Sequence, residues 1–163
     1  MESQVKTTLT EWLSCCCKIL AQHLASYGGA ADHVFVYGKL RPDDVGTALP
    51  LPDACDACDA QKAWLLGGRL YSFNRGGQEH AAVRLREAGQ ATCGWVVKAP
   101  TPDVMSVLLR ESEAREYSPQ LYEKDIVEVV TEKGERVPSY VYHRPDVDVS
   151  NPVPKGDWLQ HFK

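Results

Sequence analysis

The sequence predicts an α+β fold. Two observations carry this: only two stretches have substantial helical patterning, and the strand-like runs between them are joined mostly by short, glycine-containing connections of hairpin type. A doubly wound sheet would need a helix after nearly every strand. At 163 residues and 18.1 kDa the chain is long enough for one well-packed domain and short for two. Its 44% hydrophobic and 25% charged content is that of a globular domain. The net charge of −4 offers no basic surface to nucleic acid or to an anionic membrane. No apolar run reaches the roughly 18 residues of a membrane span.

Residues 8–27 predict the first helix. Leu9, Leu13, Cys16, Cys17, Leu20 and Leu24 recur at steps of three and four and form one apolar stripe. Thr8 or Thr10 can cap its start, and Gly28-Gly29 stops it. That stripe must be covered by the rest of the fold, by a protein partner or by a second copy of the chain. Residues 1–32 are therefore set apart as an N-terminal helical extension, and 33–163 as the main domain. Glu2 and Glu11, and the lack of a charged leader with an unbroken apolar core, point away from secretion or organelle import and towards the cytoplasm.

The next element is the strand 34–40, where Val34, Phe35, Val36 and Tyr37 run into Gly38-Lys39-Leu40. A long polar connection, 41–62, follows; it holds five aspartates and three prolines, and its length fits a functional or poorly ordered loop. Ala63–Phe73 predicts a strand kinked at Gly67-Gly68. Ala82–Arg86 and Thr92–Lys98 flank Ala88-Gly89-Gln90 as an expected hairpin. Thr101 is placed as N-cap of the second helix, with Pro102 at its first position and its end near Arg115. A changing face of Val104, Val107, Leu108 and Glu111 is expected there. Leu121–Thr131 and Arg136–His143 predict another hairpin, across residues 132–135.

Six cysteines stand at 15, 16, 17, 55, 58 and 93. Three in a row are a poor disulfide framework, and on the helix they pack as small hydrophobes, with palmitoylation as the sharper alternative. Cys55 and Cys58 have the spacing of a zinc or redox pair. No second such pair follows, so free thiols in a loop are the better reading. The five histidines show no spacing suited to a metal or a proton relay, and none is assigned a role.

Four separated features remain: Val36-Tyr37-Gly38-Lys39-Leu40; Gly94-Trp95 followed by the Thr101 helix; Glu116-Tyr117-Ser118-Pro119-Gln120-Leu121-Tyr122; and Gly156-Asp157-Trp158. In this order and at these intervals they resemble the gamma-glutamylcyclotransferase-like, or avirulence-induced-gene-like, family over roughly residues 33–160. The resemblance implies a small closed β-barrel with mixed strand directions and flanking helices. It implies that Tyr37, Gly38, Lys39 and Leu40 form a turn whose backbone N–H groups hold the glutamyl part of a substrate. It makes Glu116 the catalytic acid and base, with Pro119 and Tyr122 at the matching offsets. Tyr122 adds a hydroxyl that can face the ligand, though Tyr37, Tyr122 and Tyr142 are core aromatics by default. Glu113, one helical turn before Glu116, becomes a candidate supporting group.

The implied reaction converts a gamma-glutamyl amine or gamma-glutamyl amino acid to 5-oxoproline and a free amine. The substrate's own α-amine attacks its γ-carbonyl, so one carboxylate can take the first proton and deliver it to the leaving amine. Burial suits that task by raising a carboxylate from about 4.3 towards 6–7. Backbone N–H groups suit the ring-forming oxyanion. An intramolecular attack calls for no protein nucleophile, cofactor or metal. Lys39 departs from the family's serine or threonine and Lys124 from its arginine, and Ser112 stands where the family has leucine. The Lys39 departure favours an alternative, a non-catalytic binding or scaffold module that keeps the barrel and its pocket.

Overall fold

In a computed structural model of the chain, residues 30–44 and 59–163 are described. The expected helix over 8–27, the Cys15–Cys17 run and the Cys55–Cys58 pair lie outside them.

Five strands close into a barrel in the order β1-β5-β2-β6-β7: β1 is His33–Val36, β2 Asp59–Leu66, β5 Ala91–Lys98, β6 Glu123–Thr131 and β7 Arg136–His143. β1 is its most buried strand, with Val34, Phe35 and Val36 no more than 1% exposed. It pairs antiparallel with β5, Phe35 opposite Val96, and parallel with β7, Phe35 opposite Val141. Burial on both faces is why its sequence is continuously apolar rather than alternating. Gly94 on β5 makes that packing feasible, since a Cβ there would meet the Phe35 ring at 2.7 Å. The mixed strand directions and the closure agree with the family's architecture. The β6–β7 hairpin is as expected, Ile126 opposite Tyr140.

The middle of the chain differs from the sequence-based expectation. The last four residues of the presumed 41–62 loop already belong to β2, which pairs with β5 from Asp59 onward. The expected Ala63–Phe73 strand is two strands. Gly67 takes the left-handed conformation (φ 76°), β2 ends, and β3 (Arg69–Arg75) leaves the barrel. β3 pairs with β4 (Gln78–Arg84) across Gly76-Gly77, both at positive φ. The hairpin placed between Ala82–Arg86 and Thr92–Lys98 is therefore not formed. Residues 74–79 are exposed at the β3–β4 tip and carry no alternation, so the apolar pattern shows only the inner half of this hairpin.

Helix α1 (Pro102–Arg115) begins as predicted: the Thr101 hydroxyl accepts from the Val104 N–H at 3.3 Å, with Pro102 in the first turn. Its buried residues are Met105, Leu108 and Ser112, so the expected face turns towards Met105 and Ser112 and away from Glu111. Ser112 is buried, and its carbonyl accepts from the Glu116 and Tyr117 N–H groups. The end of the chain is not a loose tail. The Val153 N–H donates to the Leu70 carbonyl and the Ser72 N–H to that of Asn151, at 2.9 and 3.0 Å, and Trp158 is 1% exposed. No helix among the described residues is long and apolar enough to cross a membrane.

Candidate functional site

At the end of β1 the chain turns through Gly38 to Arg41, and the turn is closed by the Arg41 N–H donating to the Gly38 carbonyl at 3.2 Å. The N–H groups of Lys39 and Leu40 then point the same way. Both donate to one carboxylate: Lys39 to Glu116 Oε1 at 2.8 Å and Leu40 to Glu116 Oε2 at 3.1 Å. Glu116 reaches them because it is the C-cap residue of α1 with non-helical torsions, φ −137° and ψ −50°. Gly38 is required by this approach. A Cβ at residue 38 would overlap Glu116 Oε1 and meet the Ala81 Cβ at 3.0 Å.

Glu116 is only 7% exposed. Burial pushes its carboxyl up to about 7, against the pull of the two amides, the Lys39 charge and a hydrogen bond from Tyr117, all of which favour the ionised form. A carboxylate poised near neutrality, with a fixed anion-holding turn around it, can both accept and return a proton.

The structure thus gathers Gly38, Lys39, Leu40 and Glu116 in one place. Tyr37 is directed elsewhere. Its hydroxyl donates to the Tyr142 carbonyl at 2.8 Å and accepts from the Val83 N–H at 3.3 Å, and it is fully buried. Tyr122 is 5% exposed and donates to the Ala81 carbonyl at 2.6 Å. Both rings flank Tyr117, with centroids at 5.2 and 5.3 Å. Burial raises the phenols of Tyr37, Tyr117 and Tyr122, keeping them as neutral donors beside the carboxylate. Lys39 is half-buried, and its ammonium lies near enough to favour Glu116's ionised form and to push the His80 imidazole down. His80, whose imidazole burial lowers first, stacks on Phe73, and the Arg144 guanidinium lies 4.5 Å from the same ring.

Several assignments change. Glu113 does not bond Glu116; its Oε1 accepts from Tyr142 Oη at 2.9 Å and from Lys124 Nζ at 3.2 Å. Lys124 so forms a partly exposed ion pair with Glu113. Two histidines find carboxylates that sequence spacing hid: His143 meets Asp125 at 2.7 Å and His161 meets Glu79 at 3.0 Å. β6–β7 register puts His143 opposite Glu123, and ligand atoms of Glu123, Asp125 and His143 lie within 4.8 Å of one another. These three line a surface cavity of about 480 Å³ with Arg84, Arg86 and Glu87.

Sequence reasoning missed Tyr117 and Arg41. Tyr117 follows Glu116 directly, and its oxygen accepts from the Tyr37 N–H at 3.3 Å. Arg41 follows the turn directly and is 1% exposed. An arginine next to an apolar turn, with aspartates at 43 and 157, was the available signal.

The model of the family described as gamma-glutamyl cyclotransferase, AIG2-like, matches residues 34–160. No curated protein matches the sequence. Three solved structures share the fold. An AIG2-like protein from Mus musculus is 17% identical with a TM-score of 0.53, over 74% of this chain and 82% of that one. A protein from Arabidopsis thaliana is 22% identical with a TM-score of 0.52, over 74% and 66%. A gamma-glutamyl cyclotransferase is 17% identical with a TM-score of 0.51, over 77% and 73%.

Proposed function

The chain belongs to the gamma-glutamyl cyclotransferase, AIG2-like family, and from that premise we propose that it converts a gamma-glutamyl amine or gamma-glutamyl amino acid to 5-oxoproline and the free amine. The observation that carries the reading is the buried Glu116 carboxyl, raised to about 7 and resting on two consecutive turn amides.

The substrate's glutamyl carboxylate competes with Glu116 for the Lys39 and Leu40 N–H groups, and the exchange leaves Glu116 facing the α-amine. Glu116 takes a proton from that amine as the nitrogen bonds to the γ-carbonyl carbon. Negative charge develops on the carbonyl oxygen, which a fixed N–H donor other than the two holding the carboxylate would stabilise. When the oxyanion collapses, the bond to the leaving nitrogen breaks and Glu116 returns the proton to it. Attack within one molecule removes the entropy cost of bringing in a second reactant.

The test is incubation with a panel of gamma-glutamyl dipeptides and gamma-glutamyl-ε-lysine, scored for 5-oxoproline. Release from any of them supports the reading. A panel without product, from a chain that still binds glutamate or 5-oxoproline in calorimetry, favours the binding module instead. One feature favours that second reading: Lys39 adds a cation beside the turn amides and favours an ionised, resting Glu116 over one free to carry protons.

A further inference from the structure

Arg41 is buried, and each of its three guanidinium nitrogens is engaged. Nε and Nη2 donate side by side to Asp43 at 2.9 and 2.7 Å, and Nη1 donates to Asp157 Oδ1 at 2.6 Å. Asp157 is anchored in turn, since the same oxygen accepts from the Leu159 N–H at 3.1 Å and caps the short 3₁₀ turn Trp158–Gln160. That turn is fixed by Trp158, which is 1% exposed. Arg41 therefore ties the anion-holding turn to the packed C-terminal segment, 116 residues away in sequence. Its own N–H closes the turn on the Gly38 carbonyl, so the clamp bears directly on the peptide units that present the Lys39 and Leu40 N–H groups.

We infer that Arg41, gripped between Asp43 and Asp157, is a positioning residue that fixes the aim of the Lys39 and Leu40 amides at Glu116. Its effect runs through the geometry of the turn. The influences on the Glu116 carboxyl are burial, the two amides, the Lys39 charge and the Tyr117 hydrogen bond, with Tyr37 and Tyr122 packed around it. Loosening the clamp weakens the two hydrogen bonds from the Lys39 and Leu40 N–H groups, and losing hydrogen bonds to the ionised form raises a carboxyl's pKa. A charge-keeping lysine at 41 cannot make the forked contact with Asp43. The kinetic consequence rests on the cyclotransferase reading; the geometric claim stands without it.

The experiment follows the Glu116 carboxyl directly, by ¹³C NMR titration of the full-length chain labelled at glutamate. Arg41→Lys should raise its midpoint above the wild-type value near 7 by about one pH unit, a tenfold change in proton affinity. Asp157→Asn keeps the acceptor for Leu159 and should give a smaller rise of the same sign, and it decides alone where Arg41→Lys does not fold. Val129→Ala opens a hole in the same barrel core and should lower the melting temperature with the midpoint unmoved. In an active chain, the acidic limb of kcat/KM moves with the midpoint. A midpoint that stays put in a folded clamp variant, or moves equally in Val129→Ala, overturns the inference. A moved midpoint in a chain that releases no 5-oxoproline upholds the clamp and removes the enzyme reading; a fixed midpoint in an active chain does the reverse.

Discussion

Glu116 ties the candidate chemistry to the stability of the fold. Its carboxyl titrates near 4.5 in an unconstrained chain and near 7 in the folded one. Between those values the folded state holds a proton that the unfolded state has released. This group's contribution is therefore largest below about pH 4.5 and is lost as pH rises through about 7. Glu116→Gln cannot titrate, so its urea midpoint should lack that fall between pH 4.5 and 8; an identical slope in both proteins would remove the raised carboxyl from the account. The same variant should lose at least about 10²-fold in turnover, the usual weight of an acid–base group. Lys39 is testable beside it. Lys39→Ser removes the cation near Glu116 and His80, and calorimetry with glutamate or 5-oxoproline should show weaker binding that depends less on salt. Equal affinity and salt dependence would place Lys39 outside the site. The sequence named both residues, yet their partnership was hidden: the Lys39 amide and Glu116 are 77 positions apart, and no local pattern encodes such a contact.

At the scale of elements, helix α1 has one task that its sequence announces and one that it does not. Thr101 and Pro102 declare its start, and the structure has them as cap and first turn. Its end is what matters to the site, because Glu116 sits at the C-cap, donates its own N–H to the Ser112 carbonyl at 3.0 Å and turns away from the helix axis. Thr101→Ala should cost about 1 kcal/mol of stability, read from the denaturation midpoint at constant m-value. It should leave the acidic limb of activity in place, since the cap lies at the far end of α1. A shifted limb would mean that the helix transmits its fraying to Glu116. Strand pairing was less legible than helix boundaries. β6 and β7 could be paired because the four residues between them leave one arrangement open, whereas β4 lies between two glycine-containing turns and the sequence pattern pairs it across the wrong one. Gly76-Gly77 makes the tight turn; the Gly89 connection leads to β5, which pairs with β1 and β2 instead. Local punctuation marks turns but does not say which strands they join.

At the scale of the whole chain, the barrel closes through pairings distant in sequence. β1 runs beside β7, and the segment after β7 returns to bond β3 and the Arg41 turn. The site is thus assembled from both ends of the described domain, which is why its motifs had to be recognised by their order and not by proximity. The N-terminal residues pose a separate question that their sequence raises clearly. Leu9, Leu13, Cys16, Cys17, Leu20 and Leu24 recur at helical spacing, and a helix formed there would carry an apolar stripe that is unfavourable in water. Covering it against the barrel would contribute to the stability of the monomer. Covering it against another molecule would make assembly depend on it. The first case predicts that deleting residues 1–30 lowers the melting temperature at every protein concentration. The second predicts that deletion converts an oligomer to monomers in analytical ultracentrifugation, with a melting temperature that depends on concentration only in the full-length chain. If deletion leaves both stability and assembly as they were, the stripe covers nothing and the docking argument fails. In either productive case the candidate site should survive the deletion, because Gly38, Lys39, Leu40, Arg41, Glu116 and Asp157 all lie beyond residue 30, and the family match begins only at residue 34.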